Sequence, residues 1–594
     1  MKQEKQQGLI RKLAKYARPY LPYFIIGPLC MIVEVIGEVV MPKFLSAVVT
    51  GGTDGTMTTA KSILYAVMMI ITALCMMAGG VGGSYFGAKA SVNFAADMRV
   101  DVYRKVQQYS FANIDKFSTG SLVTRLTNDV TQVQNFVNMM LRMSIRAPGM
   151  MIGALIMAIT IRPSLSVVFA VAMPVLFVSI FSLVRLGFPR FSAMQEKLDR
   201  LNATVQENVT NVRVVKSFVR EDHEKEKFRR ANGDLKKAGL RAMNVMILLS
   251  PVMTIVMNVT VIAVLWFGGK IVLNEAGTIG GMQIGDLSAF VTYVTQILSS
   301  LMMITAMLMM SSRAVASARR ISEVLDEQID LDDSQAAQPQ REVENGEVRF
   351  EHVSFRYYKN SAEEVLHDIN LTIPAHTTVG IIGSTGCGKS TLVSMIPRLY
   401  DCDQGRVLID GIDVKDYSLY HLREGVGMVL QKNVLFSGSI ADNLRWGDEN
   451  ADDETVRAAA KLAQADGFVT SFPDGYQTDL VEGGANVSGG QKQRLCIARA
   501  LLKKPKILIL DDSTSAVDTA TEAQIRTAFR TSLPDATKII IAQRITSVMD
   551  ADLIVVMDEG GIVGTGTHTS LLQNNETYRE IYDSQMEQRQ EVRA

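Results

Sequence analysis

Apolar residues are concentrated in the first half of this 594-residue chain, in runs long enough to cross a membrane. A membrane-spanning helix needs roughly 20 mostly apolar residues. The runs of this length are 20–47, 62–88, 136–161, 164–186, 243–269 and 284–310. From about residue 330 onward the composition is that of a soluble α/β domain. The sequence therefore predicts an α-helical six-span membrane domain joined to a soluble domain.

Positive charge is placed unevenly between the spans. Lys and Arg are concentrated in 2–18, 89–125 and 190–241, whereas the opposite loops carry few of them. Because cytoplasmic loops are enriched in Lys and Arg, both termini are expected in the cytosol. The two long connections, between the second and third spans and between the fourth and fifth, are expected there as well. The whole chain has 61 basic and 61 acidic residues. Its net charge therefore gives no sign of a nucleic-acid partner.

Two acidic residues interrupt the first span. Glu34 and Glu38 are one helical turn apart, and ionisable groups inside a membrane are costly unless they face water or a charged partner. A cavity that attracts cationic substrates is one explanation, and pairing with Arg142 or Arg146 of the third span is the other. The sixth span is rich in methionine, which suits a wall that accepts varied ligands but is equally common in ordinary packing.

A Gly-rich phosphate-binding loop lies in the soluble half. Its residues are Gly383, Ser384, Thr385, Gly386, Cys387, Gly388, Lys389, Ser390 and Thr391. An apolar strand precedes the loop and a helix follows it, which is the context that gives the motif its weight. Backbone N–H groups of such a loop surround phosphates, while Lys389 supplies positive charge and Ser390 a hydroxyl for Mg²⁺. ATP and Mg²⁺ are the predicted ligands.

Other residues are placed to complete this site. Tyr357 follows a predicted strand at a point where its ring can stack on adenine, and Gln431 ends an apolar run where it suits Mg²⁺ and an attacking water. The apolar strand 507–510 delivers Asp511 to the metal. Asp512 then stands where a base or a water-orienting carboxylate belongs.

The order of these motifs carries a family resemblance. Ser488, Gly489, Gly490 and Gln491 lie between the phosphate loop and the strand that ends in two acids. From residue 8 to about 585 the chain resembles one half of a bacterial ABC exporter of the multidrug type. The resemblance implies that two halves face each other, with ATP between the phosphate loop of one half and the Ser-Gly-Gly-Gln signature of the other. It also implies coupling helices at 115–118 and 211–216.

The resemblance divides the chain into five parts. They are a cytosolic segment with an amphipathic helix (1–19), the transmembrane domain (20–311), a linker (312–345), the ABC nucleotide-binding domain (346–585) and a tail (586–594). It implies a multi-pass protein of the cell membrane. The five cysteines show no CxxC spacing, so neither a cysteine metal site nor a disulfide framework is predicted.

Two positions depart from the family pattern. Asp512 replaces the usual Glu and is one methylene shorter, while Gln543 replaces the usual switch His and carries no positive charge. A positioned general base contributes about 10²–10⁴-fold to a rate, so weak hydrolysis with retained ATP binding is predicted. The intact signature would complete a partner's site. The chain therefore resembles the degenerate half of a heterodimer.

Three functions are compatible with these residues. ATP-driven export of amphipathic compounds or drugs by a heterodimer is favoured. A homodimeric lipid or peptide exporter, in which Asp512 suffices for hydrolysis, is an alternative. An ATP-binding regulatory subunit is another, supported only by analogy at the level of the fold.

Overall fold

The computed structural model describes residues 11–275, 281–334, 336–357, 363–512 and 517–591. It divides into two compact units. The helical unit comprises Met1–Val106 and Gly120–Asp326, and the α/β unit comprises Gln107–Thr119 and Glu327–Ala594.

Within its described residues, the helical unit contains six helices that are long and apolar enough to cross a membrane. This confirms the six-span prediction. The helices of the first 326 residues are α1 (Leu21–Thr53), α2 (Thr59–Gln107), α3 (Phe111–Lys116), α4 (Thr119–Thr124), α5 (Val130–Ile161), α6 (Pro163–Thr210), α7 (Val212–Ser217), α8 (Glu221–Ile247), α9 (Leu249–Asn274) and α10 (Ile284–Asp326).

The helices are longer than the apolar runs that predicted them. Helix α2 has 49 residues and α6 has 48, which at 1.5 Å per residue is about 70 Å. The hydrocarbon core of a bilayer is roughly 30 Å thick, so both helices extend well beyond it. Helix α10 likewise continues to Asp326, which makes the first part of the predicted linker helical. In the predicted cytosolic segment with an amphipathic helix (1–19), residues 11–17 are helical and 1–10 lie outside the described residues.

Glycines bring α2 close to α1 at the level of the membrane acids. A Cβ added at Gly79 would lie 2.7 Å from the Cys30 carbonyl oxygen, and one at Gly83 would lie 2.2 Å from Met31 Cε. Small residues of this kind let transmembrane helix backbones approach. Glu34 consequently lies against α2.

The α/β unit is built on two main sheets. The six-stranded sheet has the order β12-β11-β3-β10-β9-β6 and the four-stranded sheet the order β2-β1-β4-β5, while β7 pairs with β8. The strands are β1 (Val348–Phe355), β2 (Leu366–Ile373), β3 (Thr378–Gly383), β4 (Gln404–Ile409), β5 (Ile412–Asp413), β6 (Val426–Val429), β7 (Gly438–Ser439), β8 (Asp479–Leu480), β9 (Ile507–Asp511), β10 (Thr537–Ile541), β11 (Leu553–Asp558) and β12 (Gly561–Gly566).

Parallel strands form the centre of the larger sheet. Strand β10 pairs in parallel with β3 and β9, and every residue of β9 and β10 is buried. This is why β9 is a nearly continuous apolar run and why three isoleucines follow Thr537 and Lys538 in β10. The α-helices that follow residue 326 are α11 (Lys389–Ser394), α12 (Leu419–Gly425), α13 (Ile440–Arg445), α14 (Asp453–Leu462), α15 (Asp466–Val469), α16 (Gly489–Leu502), α17 (Thr519–Ser532), α18 (His568–Asn574) and α19 (Glu576–Glu591).

Candidate functional site

The strand order brings the predicted site residues to one edge of the six-stranded sheet. Strands β3, β10, β9 and β6 are parallel neighbours. The loops at their carboxyl ends carry the phosphate loop, Gln543, Asp511 with Asp512, and Gln431, respectively. In open α/β sheets, ligands bind outside the carboxyl ends of the strands. Residues far apart in sequence therefore meet at one site.

The phosphate loop surrounds the ammonium group of Lys389. Its Nζ donates hydrogen bonds to the carbonyl oxygens of Gly383 at 2.9 Å and Ser384 at 2.6 Å. Ser384, Thr385 and Gly386 form the exposed part of the loop, and Cys387 is buried below it. A cation enclosed by an open, Gly-rich loop fits the phosphates of a nucleotide.

Gly388 is needed where the loop enters α11. Its φ is +92°, and an added Cβ would lie 2.8 Å from Leu366 Cδ2 and 2.9 Å from the Val365 carbonyl oxygen. A side chain at this position would combine an unfavourable backbone conformation with a steric clash. The helix can therefore begin at Lys389 only because residue 388 is glycine.

Ser390 and Asp511 form the predicted metal side of the site. Ser390 Oγ donates a hydrogen bond to Asp511 Oδ1 at 2.9 Å. Burial raises the pKa of Asp511, and the hydrogen bond from Ser390 opposes that shift. A hydroxyl beside a carboxylate suits Mg²⁺, which prefers oxygen ligands and is usually held by one or two carboxylates plus substrate phosphates. These two residues fit Mg²⁺, which when bound neutralises charge on the phosphates.

Two amide side chains lie at the Asp512 carboxylate. Its Oδ2 accepts a hydrogen bond from Gln543 Nε2 at 2.8 Å, and Gln431 lies near the same carboxylate. Burial raises the pKa of Asp512, while the nearby Gln431 side chain and the positive charges of Lys389 and Arg544 oppose the shift. The three predicted catalytic positions therefore lie close together, and Asp512 Oδ2 already accepts the amide hydrogen bond of Gln543.

Tyr357 stands beside the helix that follows the phosphate loop. Its hydroxyl lies 2.9 Å from Thr391 Oγ1, and its ring is perpendicular to that of Tyr400, with 5.3 Å between centroids. The Tyr400 hydroxyl donates a hydrogen bond to Asp115 Oδ2 at 2.9 Å. Asp115 belongs to α3, which overlaps the predicted first coupling helix. Tyr400 was missed by the sequence analysis because no motif marks it.

The signature residues begin helix α16. Ser488 Oγ accepts a hydrogen bond from the Gln491 backbone N–H, and Gln491 Oε1 accepts one from the Ser488 N–H at 2.9 Å. This reciprocal capping box fixes the turn that contains Gly489 and Gly490. Within the described part of the chain, these contacts are local. The signature is thus a preformed turn that is separate from the cluster around Asp512.

A second missed residue lies in the C-terminal helix. Gln585 Oε1 accepts a hydrogen bond from the Ile545 N–H at 2.8 Å, and its Nε2 donates one to the Gln543 carbonyl oxygen at 2.8 Å. Both backbone groups belong to residues 543–545, which follow β10 and carry the Gln543 side chain. Helix α19 therefore holds this segment, a contact that no sequence pattern indicates.

Glu34 and Glu38 are paired in the helical unit. Arg146 Nη1 lies 3.2 Å from Glu34 Oε1, and Arg146 Nη2 lies 2.6 Å from Glu38 Oε1. Of the two explanations left open by the sequence, pairing with the third span is the one present, and Arg146 provides it. Arg142 lines a cavity beside the same group.

Comparisons with known proteins agree with this geometry. The family model described as the ABC transporter transmembrane region matches residues 24–301, and the model described as ABC transporter matches 366–515. The uncharacterized ABC transporter ATP-binding protein YfiB of Bacillus subtilis is 37% identical over 97% of this chain and 98% of its own length. The chain belongs to the ABC transporter family.

Two further similarities define the type of ABC transporter. The putative multidrug export ATP-binding/permease protein YgaD of Bacillus subtilis is 32% identical over 97% of this chain and 99% of its own length. A solved structure of a bacterial Atm1-family ABC exporter with ATP bound has a TM-score of 0.77 and 25% identity, covering 95% of this chain and 98% of that one. The predicted fold class is confirmed. The chain is an ABC exporter half with its membrane and nucleotide-binding domains fused.

Proposed function

We propose that this chain is the catalytically degenerate half of a heterodimeric ABC exporter, which moves amphipathic compounds, drugs among them, across the cell membrane with both termini in the cytosol. The observation that carries the proposal is the hydrogen bond that Asp512 Oδ2 accepts from Gln543, the residue that stands in place of the switch His. The relative YgaD, a putative multidrug export protein, supports the substrate class.

The local chemistry at Asp512 supports weak hydrolysis. A general base must reach the proton that it removes and must be free to accept it. Asp512 is one methylene shorter than Glu, and its Oδ2 accepts a hydrogen bond from Gln543, which holds the carboxylate toward residue 543. Gln543 also cannot place a positive charge near the γ-phosphate. Because both deficits affect one site, turnover there is expected to be slow.

The residues predicted to hold ATP are all present in this chain. Lys389 provides the cation inside the phosphate loop, and Ser390 and Asp511 are hydrogen-bonded to each other where Mg²⁺ is expected. Tyr357 is 43% exposed beside Thr391, which leaves its ring available for adenine. We therefore expect this site to bind ATP and retain it. Long retention favours the state in which the two nucleotide-binding domains are in contact.

The intact signature supports a different partner half. Ser488 and Gln491 form a complete capping box, so this turn is ready to contact the nucleotide of a partner. In a homodimer both sites would contain Asp512 and Gln543, and both would be slow. In a heterodimer the signature of this chain completes a site whose catalytic residues come from the partner. Hydrolysis at that second site would drive transport.

Steady-state ATP turnover in lipid tests this proposal. The purified chain is measured alone and together with a second ABC exporter half that co-purifies with it. Near-zero turnover alone and strong turnover in the pair are expected. Brisk turnover by the chain alone would overturn the degenerate-site proposal and favour a homodimeric exporter. If the pair hydrolyses ATP without moving any amphiphile across vesicles, the regulatory alternative is favoured.

A further inference from the structure

An open cavity of about 400 Å³ lies at the surface of the helical unit, where α1, α2 and α5 meet. Its lining residues are Glu34, Gly80, Val81, Ser84, Arg142 and Arg146. Ionisable residues inside a membrane are expensive to maintain and face partners or water-filled space. Three ionisable residues line this cavity, so the partner of each charged group must be identified.

The acidic side of this cavity lacks hydrogen-bond donors. Arg146 is shared between Glu34 and Glu38, so one positive charge serves two carboxylates. The second oxygens of these carboxylates, Glu34 Oε2 and Glu38 Oε2, are buried and accept no hydrogen bond from the described residues. Buried acceptors of this kind are normally satisfied. The group around Arg146 therefore carries one uncompensated negative charge and two unused acceptors, of which the one on Glu34 belongs to a residue that lines the cavity.

The basic side of the cavity lacks an acceptor. Arg142 is one helical turn before Arg146 on α5, and its side chain is exposed. Among the described residues, no ion pair to Arg142 is formed. Its stem lies along α2, where a Cβ added at Gly87 would be 3.6 Å from Arg142 Cγ. The guanidinium brings five N–H donors to the cavity and suits an anionic oxygen group.

We propose that this cavity binds the zwitterionic headgroup of an amphiphile, with a phosphate or carboxylate at Arg142 and a primary ammonium near Glu34. This inference rests on the proposed function and specifies its substrate class. The four charged side chains sum to zero, so a zwitterion adds no net charge inside the membrane. A purely anionic or cationic headgroup adds one net charge, and burying an unpaired charge is costly in a medium of low polarity. A primary ammonium supplies the N–H donors that the carboxylate oxygens lack, whereas a quaternary ammonium has none.

Gly80 leaves space next to the carboxylate. A Cβ added there would lie 3.3 Å from Glu34 Oε2, which is tighter than ordinary van der Waals contact. Gly80→Ala would therefore put a methyl group beside Glu34 Oε2 and change the cavity wall next to the carboxylate that the ammonium is expected to approach. Alanine favours a helix more than glycine does, so this variant should fold. It changes the shape of the site without changing its charge.

The experiment compares headgroups at constant chain length. The exporter pair is reconstituted in phosphatidylcholine vesicles, and transport of fluorescent lysolipids with phosphoethanolamine, phosphocholine or phosphoglycerol headgroups is measured. One charge-assisted hydrogen bond contributes roughly tenfold, so half-saturation by the phosphoethanolamine analogue is expected at an about tenfold lower concentration. Glu34→Gln and Gly80→Ala should remove the preference for ethanolamine over choline. Arg142→Gln should weaken transport of all three phosphate-containing analogues.

Lys270→Gln is the matched control. It removes a positive charge from α9, where Lys270 lies 5.0 Å over the Trp266 ring, and it should leave the headgroup preference unchanged. Equal half-saturation by the three analogues in the unmodified pair, with a cationic dye still transported, would overturn this inference but leave the proposed function standing. If neither dye nor lysolipid is transported, the proposed function itself fails. A single-chain analogue added from water and a diacyl analogue held in the bilayer distinguish a soluble amphiphile from a membrane lipid as the source.

Discussion

The double substitution Asp512→Glu with Gln543→His should speed ATP hydrolysis at the site that the proposed function describes as degenerate. Glutamate extends the side chain by one C–C bond, about 1.5 Å, which is enough to move the carboxylate out of the 2.8 Å contact with residue 543. Histidine removes the amide donor and adds a group that can carry positive charge. Recovering a positioned general base is worth about 10²–10⁴-fold. We expect a rise of at least about 100-fold at this site, equivalent to about 2.7 kcal/mol of activation free energy.

The backbone at residue 512 sets a cost for this change. Asp512 has a φ of +46°, a conformation in which Asp and Asn are favoured over longer side chains. Glutamate there is expected to cost about 1 kcal/mol of folding stability. The melting temperature should therefore fall by a few degrees while turnover rises. A rise in turnover through general stabilisation of the domain would show the opposite change in melting temperature.

The assay must isolate this site from that of the partner. The double variant is paired with a partner half whose own hydrolysis has been abolished, and single-turnover ATP cleavage is followed. Asp552→Glu is the matched control, because it makes the same extension at Asp552, which binds the Thr378 N–H at the other end of β3. If the double variant cleaves ATP no faster than the unmodified chain, the explanation from lost chemistry at Asp512 and Gln543 is refuted.

Three further predictions concern residues around this site. Gln585→Ala removes the hydrogen bonds to the Ile545 N–H and the Gln543 carbonyl oxygen and should shorten ATP retention several-fold. The neighbouring Ser584→Ala should leave retention unchanged. If Gln585→Ala has an equal effect in a Gln543→Ala background, Gln585 does not act through the Gln543 side chain. Tyr400→Phe removes the hydrogen bond to Asp115. This loss should cost about 1 kcal/mol of stability and lower the number of substrate molecules moved per ATP hydrolysed. An unchanged ratio of substrate to ATP would contradict a role for this contact in transport. Lys389→Ala removes the cation from the phosphate loop and should abolish binding of a fluorescent ATP analogue at this site; retained binding would contradict the assignment of the loop.

Local sequence features were sufficient for the architecture. The six spans could be predicted because a spanning helix depends on the length of one apolar run. The start of α11 could be predicted because a glycine such as Gly388 and the residues that follow it define a loop-to-helix turn locally. The predicted strand 507–510 agrees with β9, Ile507–Asp511, because buried parallel strands are continuous apolar runs.

The sequence by itself determined the fold class and the phosphate loop, because each depends on residues that are close together in the chain. The departures at Asp512 and Gln543 were visible once these positions were set against the family pattern. Only the tertiary structure decided that Arg146 pairs with Glu34 and Glu38 while Arg142 lines the cavity. It also decided that Gln585 holds the segment of Gln543 and that Tyr400 reaches Asp115. These contacts join residues far apart in sequence, and they form only because helix packing and strand order place those side chains within hydrogen-bond reach.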